Sequence, residues 1–375
     1  MISQENIKKI EKIRSLESRG DYRKALEISQ DIAEKNKDNF FFQNLNGYIL
    51  FKLNNFTLSK KFLNKSIELN KNFPTSYYLL GLVNRQHNEM EDALENFIKA
   101  ISLNPALKDA HYNIIKILSS FGPKKNLNHP YVVTNLNIEK INFKYNENKF
   151  IEISEVKNFL KTSINLVDKN LNKIDYPYMQ IYRHNSFYLN CERHFKIFNT
   201  YAIIPEFCFD CFKIVVEVEK MLDLIKLYFI FDNLFVGLKN NRKVMVEQRP
   251  GVSGKYKGFI YSKNLEELNE TANKLQKILK NNIGDDFLIS TKRGCTEFSQ
   301  KYPDYKEIKK DKNKMMSFNN DWKEKEKIID NKIYNKTSEK LCINKFLSGP
   351  KLNDILIMKN WVKFAKANGD KSIDL

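Results

Sequence analysis

Four of the five cysteines in this chain of 375 residues stand where they could share chemistry. Cys208-Phe-Asp-Cys211 is a CxxC pair, Cys295 follows Lys292-Arg293-Gly294, and Cys191-Glu-Arg-His194 sets a thiol and an imidazole three residues apart. On a helix that spacing puts both on one face. Thiolate-rich sets of four donors suit tetrahedral zinc, and an all-cysteine set suits an iron–sulfur cluster as the alternative. Zinc is the first reading for Cys191, His194, Cys208, Cys211 and Cys295, because no other stretch resembles an electron-transfer or radical-enzyme motif. With four or five donors a closed structural site is expected, whereas three donors and a water would make it hydrolytic. Two readings compete with a metal. A free cysteine packs as a small hydrophobe, and Phe207, Phe209 and Phe212 around the CxxC read as core. A CxxC is also a redox pair in some folds, although no thioredoxin-like βαβ pattern follows this one. Cys342 lies apart, in a charged stretch. Beside the thiols, Arg249 and Arg293 are candidate anion-binding groups, and His184 and Glu297 are candidate acid–base groups.

The elements that would gather these residues follow from periodicity. Residues 213–218 (KIVVEV) read as a strand, 219–234 as an apolar helix and 243–248 (KVMVEQ) as a strand. A turn with Pro250, Gly251 and Gly254 leads to a strand over 256–261. Asn264 and Glu267 form a capping box that opens a helix to residue 281, and Gly284-Asp285 turns the chain into a strand over 287–292. The order strand–helix–strand–strand–helix–strand is the ferredoxin-like split βαβ, with right-handed crossovers. There the last strand runs antiparallel beside the first. Cys295, just after the last strand, should therefore come level with the CxxC just before the first. Upstream, 153–170 read as an amphipathic helix, 178–182 as a strand and 189–198 as a short helix carrying Cys191 and His194.

The N-terminal third carries an internal repeat. From Pro74, the residues Tyr77, Leu80, Gly81, Ala93, Phe97, Ala100 and Pro105 fall at the aromatic, Leu-Gly, Ala, Phe, Ala and Pro positions of a 34-residue pattern. One repeat earlier, Gly47, Ser59, Leu63 and Ser66 take those roles, with Gln43 in place of the aromatic. One more step back, Ala25 keeps the small position and Gly20-Asp21 the turn, and residues 109–120 read as a closing helix. This stretch, residues 6–121, resembles the tetratricopeptide (TPR) family. The resemblance implies a solenoid of helical hairpins whose first helices line a groove. By repeat position the groove presents Asn44, Tyr48, Phe51, Tyr78, Leu82, Arg85, Tyr112 and Lys116. Aromatic walls with amides and cations suit an extended peptide bearing an acidic group; the alternative occupant is the chain's own C-terminal region.

The expected fold class is thus a TPR helical solenoid over 6–121, a connector over 122–150 and an α+β domain over 151–305. A charged linker over 306–345 and a C-terminal helical segment over 346–375 complete it, with Ile355, Met358, Trp361, Val362 and Ala365 along one helix face. Hydrophobic residues make up 42% of the chain, which excludes a disordered protein. The formal charge of +18 comes with a Lys- and Asn-rich bias in every segment, and reads as a solvated surface rather than a nucleic-acid footprint. The N-terminus lacks a signal-peptide core, and residues 221–238 are interrupted by Asp223, Lys226 and Asp232, so no membrane span is expected. An odd cysteine count without a disulfide framework points to reduced thiols and a cytoplasmic location. Walker A, GxGxxG and HExxH motifs are absent. Three functions remain: a protein-interaction scaffold with a thiolate metal site, a metal- or cluster-dependent enzyme acting on what the groove delivers, or an RNA-binding protein. The last rests on Lys257-Gly258-Phe259, a faint echo of the RRM core on the third strand; the small residue after Phe259 and the aromatic in the first strand that the RRM pattern needs are missing.

Overall fold

The structure, a computed structural model, describes residues 3–124, 127–141, 149–171, 174–183, 189–233, 240–308, 315–331 and 348–373. It divides into two compact units, Met1–His129 and Pro130–Leu375.

The first unit is three helical hairpins and a closing helix: α1 (Gln4–Ser18), α2 (Tyr22–Lys35), α3 (Phe40–Lys52), α4 (Phe56–Leu69), α5 (Pro74–Gln86), α6 (Met90–Leu103) and α7 (Lys108–Leu118). The helix ends repeat as regularly as the core. Gly20, Asn54 and Asn88 take the left-handed conformation, with φ of 74°, 58° and 61°. After each, the next residue's N–H closes a bond to a carbonyl five residues back, Asp21 to Leu16, Asn55 to Leu50 and Glu89 to Asn84, all at 2.9 Å. These terminate the first helix of each hairpin with its orphan carbonyls satisfied. Close helix packing needs the missing side chains of two glycines. A Cβ at Gly81 would lie 2.7 Å from the Phe97 ring, and one at Gly47 2.8 Å from Leu63 Cγ. Gln43 takes an aromatic position and fills it with a polar tether, its amide donating to the Ala33 carbonyl at 3.0 Å, at the end of the preceding hairpin.

The second unit contains α8 (Pro130–Glu139), α9 (Ile153–Asn170), β1 (Gln180–Arg183), α10 (Cys191–Tyr201), β2 (Phe212–Val218), α11 (Met221–Asn233), β3 (Asn241–Val246), β4 (Tyr256–Ser262), α12 (Leu265–Ile283), β5 (Phe287–Arg293), α13 (Lys323–Ile329) and α14 (Leu352–Ala367). The strands form one five-stranded sheet in the order β1-β3-β4-β2-β5, with every neighbouring pair antiparallel. Asn264 caps α12 by accepting from the Glu267 N–H at 2.8 Å. Helices α11 and α12 cover one sheet face, and α9 and α14 pack outside α11. That placement explains why α11 is apolar all round: Met221 through Asp232 are all buried. Two of its three charges, Lys226 and Asp232, are hydrogen-bonded. Lys226 donates to the Asn282 carbonyl at 2.7 Å, and Asp232 accepts from Arg183 Nε at 2.5 Å. Arg183 also pairs with Asp354 at the start of α14 and donates to the Tyr228 hydroxyl at 2.6 Å.

Two expected boundaries differ. The span 122–150, expected as a connector, contains α8, whose Asn135 accepts from the Leu352 N–H at 2.9 Å. The span 306–345, expected as a charged linker, contains α13, where Glu326 is buried beneath Arg193 of α10. Cys342 and His184 lie outside the described residues.

Candidate functional site

Antiparallel pairing of β2 with β5 sets Phe212 opposite Arg293. The residues just outside the pair, Cys211 and Gly294, then meet: the Gly294 N–H donates to the Cys211 carbonyl at 2.7 Å. A Cβ at Gly294 would fall 2.6 Å from Cys211 Sγ, so glycine here gives the thiol its space. A 3-10 turn over Glu206–Asp210 carries Cys208 into an aromatic cluster with Phe209, Phe298 and Tyr305. Helix α10 brings Cys191 from the other side. Cys191, Cys208 and Cys211 all lie close enough to Cys295 to shift its proton affinity.

The four thiols are thus one neighbourhood, and all are free. Cys208 and Cys211 are buried, Cys295 is half-buried and Cys191 is exposed. The neighbouring Cys295, then partial burial, raise Cys191. At Cys295 the neighbouring Cys191 lowers the pKa, but Cys208 and burial outweigh it and the net shift is upward. Burial pushes Cys211 up to about 12. These upward shifts keep Cys191, Cys211 and Cys295 as neutral thiols. Among the described residues no three His, Cys, Asp or Glu side chains are grouped so as to hold a metal ion.

His194 sits apart from the thiols. Its buried ring stacks on Phe207 with centroids 5.1 Å apart, and burial, then Arg193, lower its pKa to about 4. One helical turn from Cys191, it packs beneath α10 while Cys191 lines the cleft above the sheet.

That cleft, of about 710 Å³, lies on the sheet face opposite α11 and α12 and is lined by Cys191, Cys211 and Cys295 together with Lys213, Lys243, Phe259 and Tyr261. Two lysines converge on one ring: Lys243 Nζ lies 4.8 Å and Lys213 Nζ 5.8 Å from the Phe259 centroid. Burial, then Lys213, lower Lys243 to about 8, and burial lowers Lys213. Neither candidate arginine presents a bare charge. Arg249 is held in a two-pronged pair by Glu247, at 2.9 and 2.8 Å, which draws Glu247 down to about 2. Arg293 is buried between the Phe209 and Tyr305 rings and does not line the cleft. Glu297 lines the cleft 3.6 Å from Arg249. Sequence reasoning passed over Lys213 and Lys243; the alternation within KIVVEV and KVMVEQ was the available signal, since it puts each on the face opposite Ile214, Val216, Val244 and Val246.

In the first unit, Tyr48, Phe51, Tyr78, Leu82, Arg85 and Tyr112 are half-buried and Lys116 is exposed. Asn44 is buried instead, donating to Ser76 Oγ at 2.9 Å between successive hairpins. The Tyr48 hydroxyl donates to Glu17, and Arg85 donates to Asn113. Tyr78 packs edge-tilted on Phe97 at 5.9 Å.

A family model described as tetratricopeptide repeat matches residues 44–73 and 74–107. Among solved structures, the first TPR of Spaghetti (RPAP3) bound to the HSP90 peptide SRMEEVD is 20% identical, over 31% of this chain and 93% of that one, with a TM-score of 0.30. The second TPR domain of human RPAP3, in complex with an HSP70 peptide, is 17% identical over 30% and 92%, with a TM-score of 0.28. The Yersinia enterocolitica secretion chaperone SycD, in complex with a peptide of YopD, is 12% identical over 31% and 94%, with a TM-score of 0.29. No curated protein matches the chain. Residues 44–107 of this chain are tetratricopeptide repeats.

Proposed function

We propose that the chain is a protein-interaction scaffold: the repeats grip an extended peptide bearing an acidic group, and the second unit carries a thiolate metal site. The carrying observation for the first part is the row of half-buried side chains on α3, α5 and α7, with Lys116 exposed beside them. Tyr48, Leu82 and Lys116 share one repeat position, Phe51 and Arg85 a second, and Tyr78 and Tyr112 a third. Apolar walls with Arg85 and Lys116 at one end favour a chain with a carboxylate among apolar side chains. Selection of full-length binders from a displayed random-peptide library tests this. Enriched acidic peptides whose binding is abolished by Tyr78→Ala with Leu82→Ala are expected; binding that survives both changes places the surface elsewhere.

The sheet order supports reading the second unit as a ferredoxin-like split βαβ, β2-α11-β3-β4-α12-β5, with β1 added at one edge. The gathering of the four thiols around Cys295 supports a site for a soft divalent cation, zinc before an iron–sulfur cluster. Cys191, Cys208, Cys211 and Cys295 supply four sulfurs, and His194 stays on Phe207. Buried thiols release protons when a cation replaces them, so affinity should rise steeply with pH. Elemental analysis of the purified protein is expected to find zinc that Cys295→Ser depletes and Cys342→Ser does not.

A further inference from the structure

We propose that the cleft over the open sheet face binds a small phosphate-bearing ligand, its dianion seated between the ammonium groups of Lys213 and Lys243. The two lysines come from β2 and β3, the strands on either side of β4, and both reach over Phe259 of β4. Pairing sets Lys243 directly opposite Phe259 and Lys213 opposite the next residue on that face, Tyr261. The register therefore fixes two like charges side by side on a partly buried surface. Their attraction to one ring does not remove their mutual repulsion. Three carboxylates line the cleft, Glu192, Glu247 and Glu297. Glu247 is committed to Arg249 through both oxygens, Glu297 lies against the same guanidinium while also attracting Lys213, and among the described residues none of the three forms an ion pair with either lysine. Among the described residues Lys213 makes no hydrogen bond or ion pair, and Lys243 has only a long contact of 3.4 Å to the Gln180 side-chain oxygen.

A ligand that carries two negative charges on adjacent oxygens matches two ammonium donors at this spacing better than a single carboxylate does. The cleft volume of about 710 Å³ accommodates the phosphate and a small organic body. A base of single-stranded nucleic acid would need the open face of Phe259 for stacking, and the two ammonium groups occupy that face. The favoured ligand is therefore a small phosphomonoester and not a polynucleotide. The site does not depend on a metal at the thiols.

The test uses the full chain with a chelator present, so that a bound metal contributes nothing. Calorimetric titration compares inorganic phosphate, AMP, glucose 6-phosphate, adenosine and a uridine octamer. Phosphate-bearing probes are expected to bind in mutual competition, and adenosine not to bind. Lys213→Gln and Lys243→Gln should each weaken binding about tenfold or more, the loss of one charge-assisted bond. Lys243→Arg should retain binding, and Lys277→Gln on α12 should leave it unchanged. Thermal melts matching the parent keep a loss of binding from being read as unfolding. Preference among the phosphate probes identifies the organic body. Equal binding of adenosine and AMP, no binding of any phosphate probe, or unchanged affinity in both Gln variants overturns the proposal. So does an octamer that binds more tightly than AMP and depends on the same lysines, which would make the face a nucleic-acid surface.

Discussion

The two units bury polar groups in opposite ways. Among the described residues, the buried polar side chains of the first unit are all Ser, Asn or Gln, whereas the second buries Arg183, Lys226, Asp232, Arg242, Lys257 and Asp354 among others. In the solenoid most of these neutral groups reach a partner close in the chain or in the next hairpin, as Ser59 does to the Gly47 carbonyl at 2.7 Å and Ser29 to Asn46 at 2.9 Å. In the α+β unit the charges meet across long separations, Arg183 with Asp232 and Asp354. Short-range neutral bonds tolerate repetition and drift, since losing one costs about 1 kcal/mol. A buried ion network demands all members at once, and so ties distant segments into one cooperative structure.

The largest expected effect follows from that contrast. Arg183→Met leaves Asp232 and Asp354 buried without their cation, and should destabilise the second unit by about 3–5 kcal/mol. Denaturant unfolding followed by separate probes on the two units should register the change in the second unit alone. A loss confined to the first unit, or none, would break the comparison.

His194 gives a pH signature to the same unit. Its folded pKa of about 4 lies below the ordinary 6.5, mainly because burial disfavours the charged ring. Between those values the unfolded chain binds the extra proton. The stabilisation is thus fully present above pH 6.5 and is lost as the pH falls toward 4, a change of up to about 3 kcal/mol. In His194→Phe, which keeps the stack on Phe207, the slope of stability between pH 6.5 and 4 should flatten.

In the solenoid the expected effects are steric and smaller. Gly81→Ala places a carbon 2.7 Å from the Phe97 ring and should cost about 1–3 kcal/mol despite better helix propensity. Pairing it with Phe97→Leu should recover part of the loss, a coupling that two independent sites would not have. Smallest is Asn55→Ala, which removes the cap accepting from the Leu58 N–H at 3.3 Å, worth about 1 kcal/mol. Chemical denaturation resolves both.

How much of this was legible in the sequence follows the same division. The second and third hairpins could be read because Gly47, Gly81, Ala93 and Phe97 carry local packing demands at a fixed step. The first hairpin matches weakly at core positions, yet its ends obey the repeat: Asn36, Asn70 and Asn104 each cap a second helix through an N–H to the carbonyl four residues back. In the second unit, strand order and the approach of Cys295 to the CxxC followed from alternation and handed crossovers. What alternation could not supply was tertiary. Helix α8, with Val132, Val133 and Thr134, has poor intrinsic propensity and is held by packing and by Asn135. The charge run around Glu326 resembled a solvated linker because its partner, Arg193, lies 133 residues earlier. His194 lies one helical turn from Cys191, but its ring is taken up by the stack on Phe207, a contact that spacing along one helix does not reveal.

Cobalt(II) titration of the reduced full chain tests the central claim about the second unit, because a tetrahedral thiolate site gives cobalt intense visible absorption and a sulfur charge-transfer band. One equivalent is expected to produce both bands, zinc to bleach them, and Cys295→Ser to weaken the charge-transfer band while Cys342→Ser leaves it intact. A spectrum of hexaaqua cobalt, with all cysteines still reacting freely with a thiol reagent, would contradict the metal site and leave the four thiols as packing.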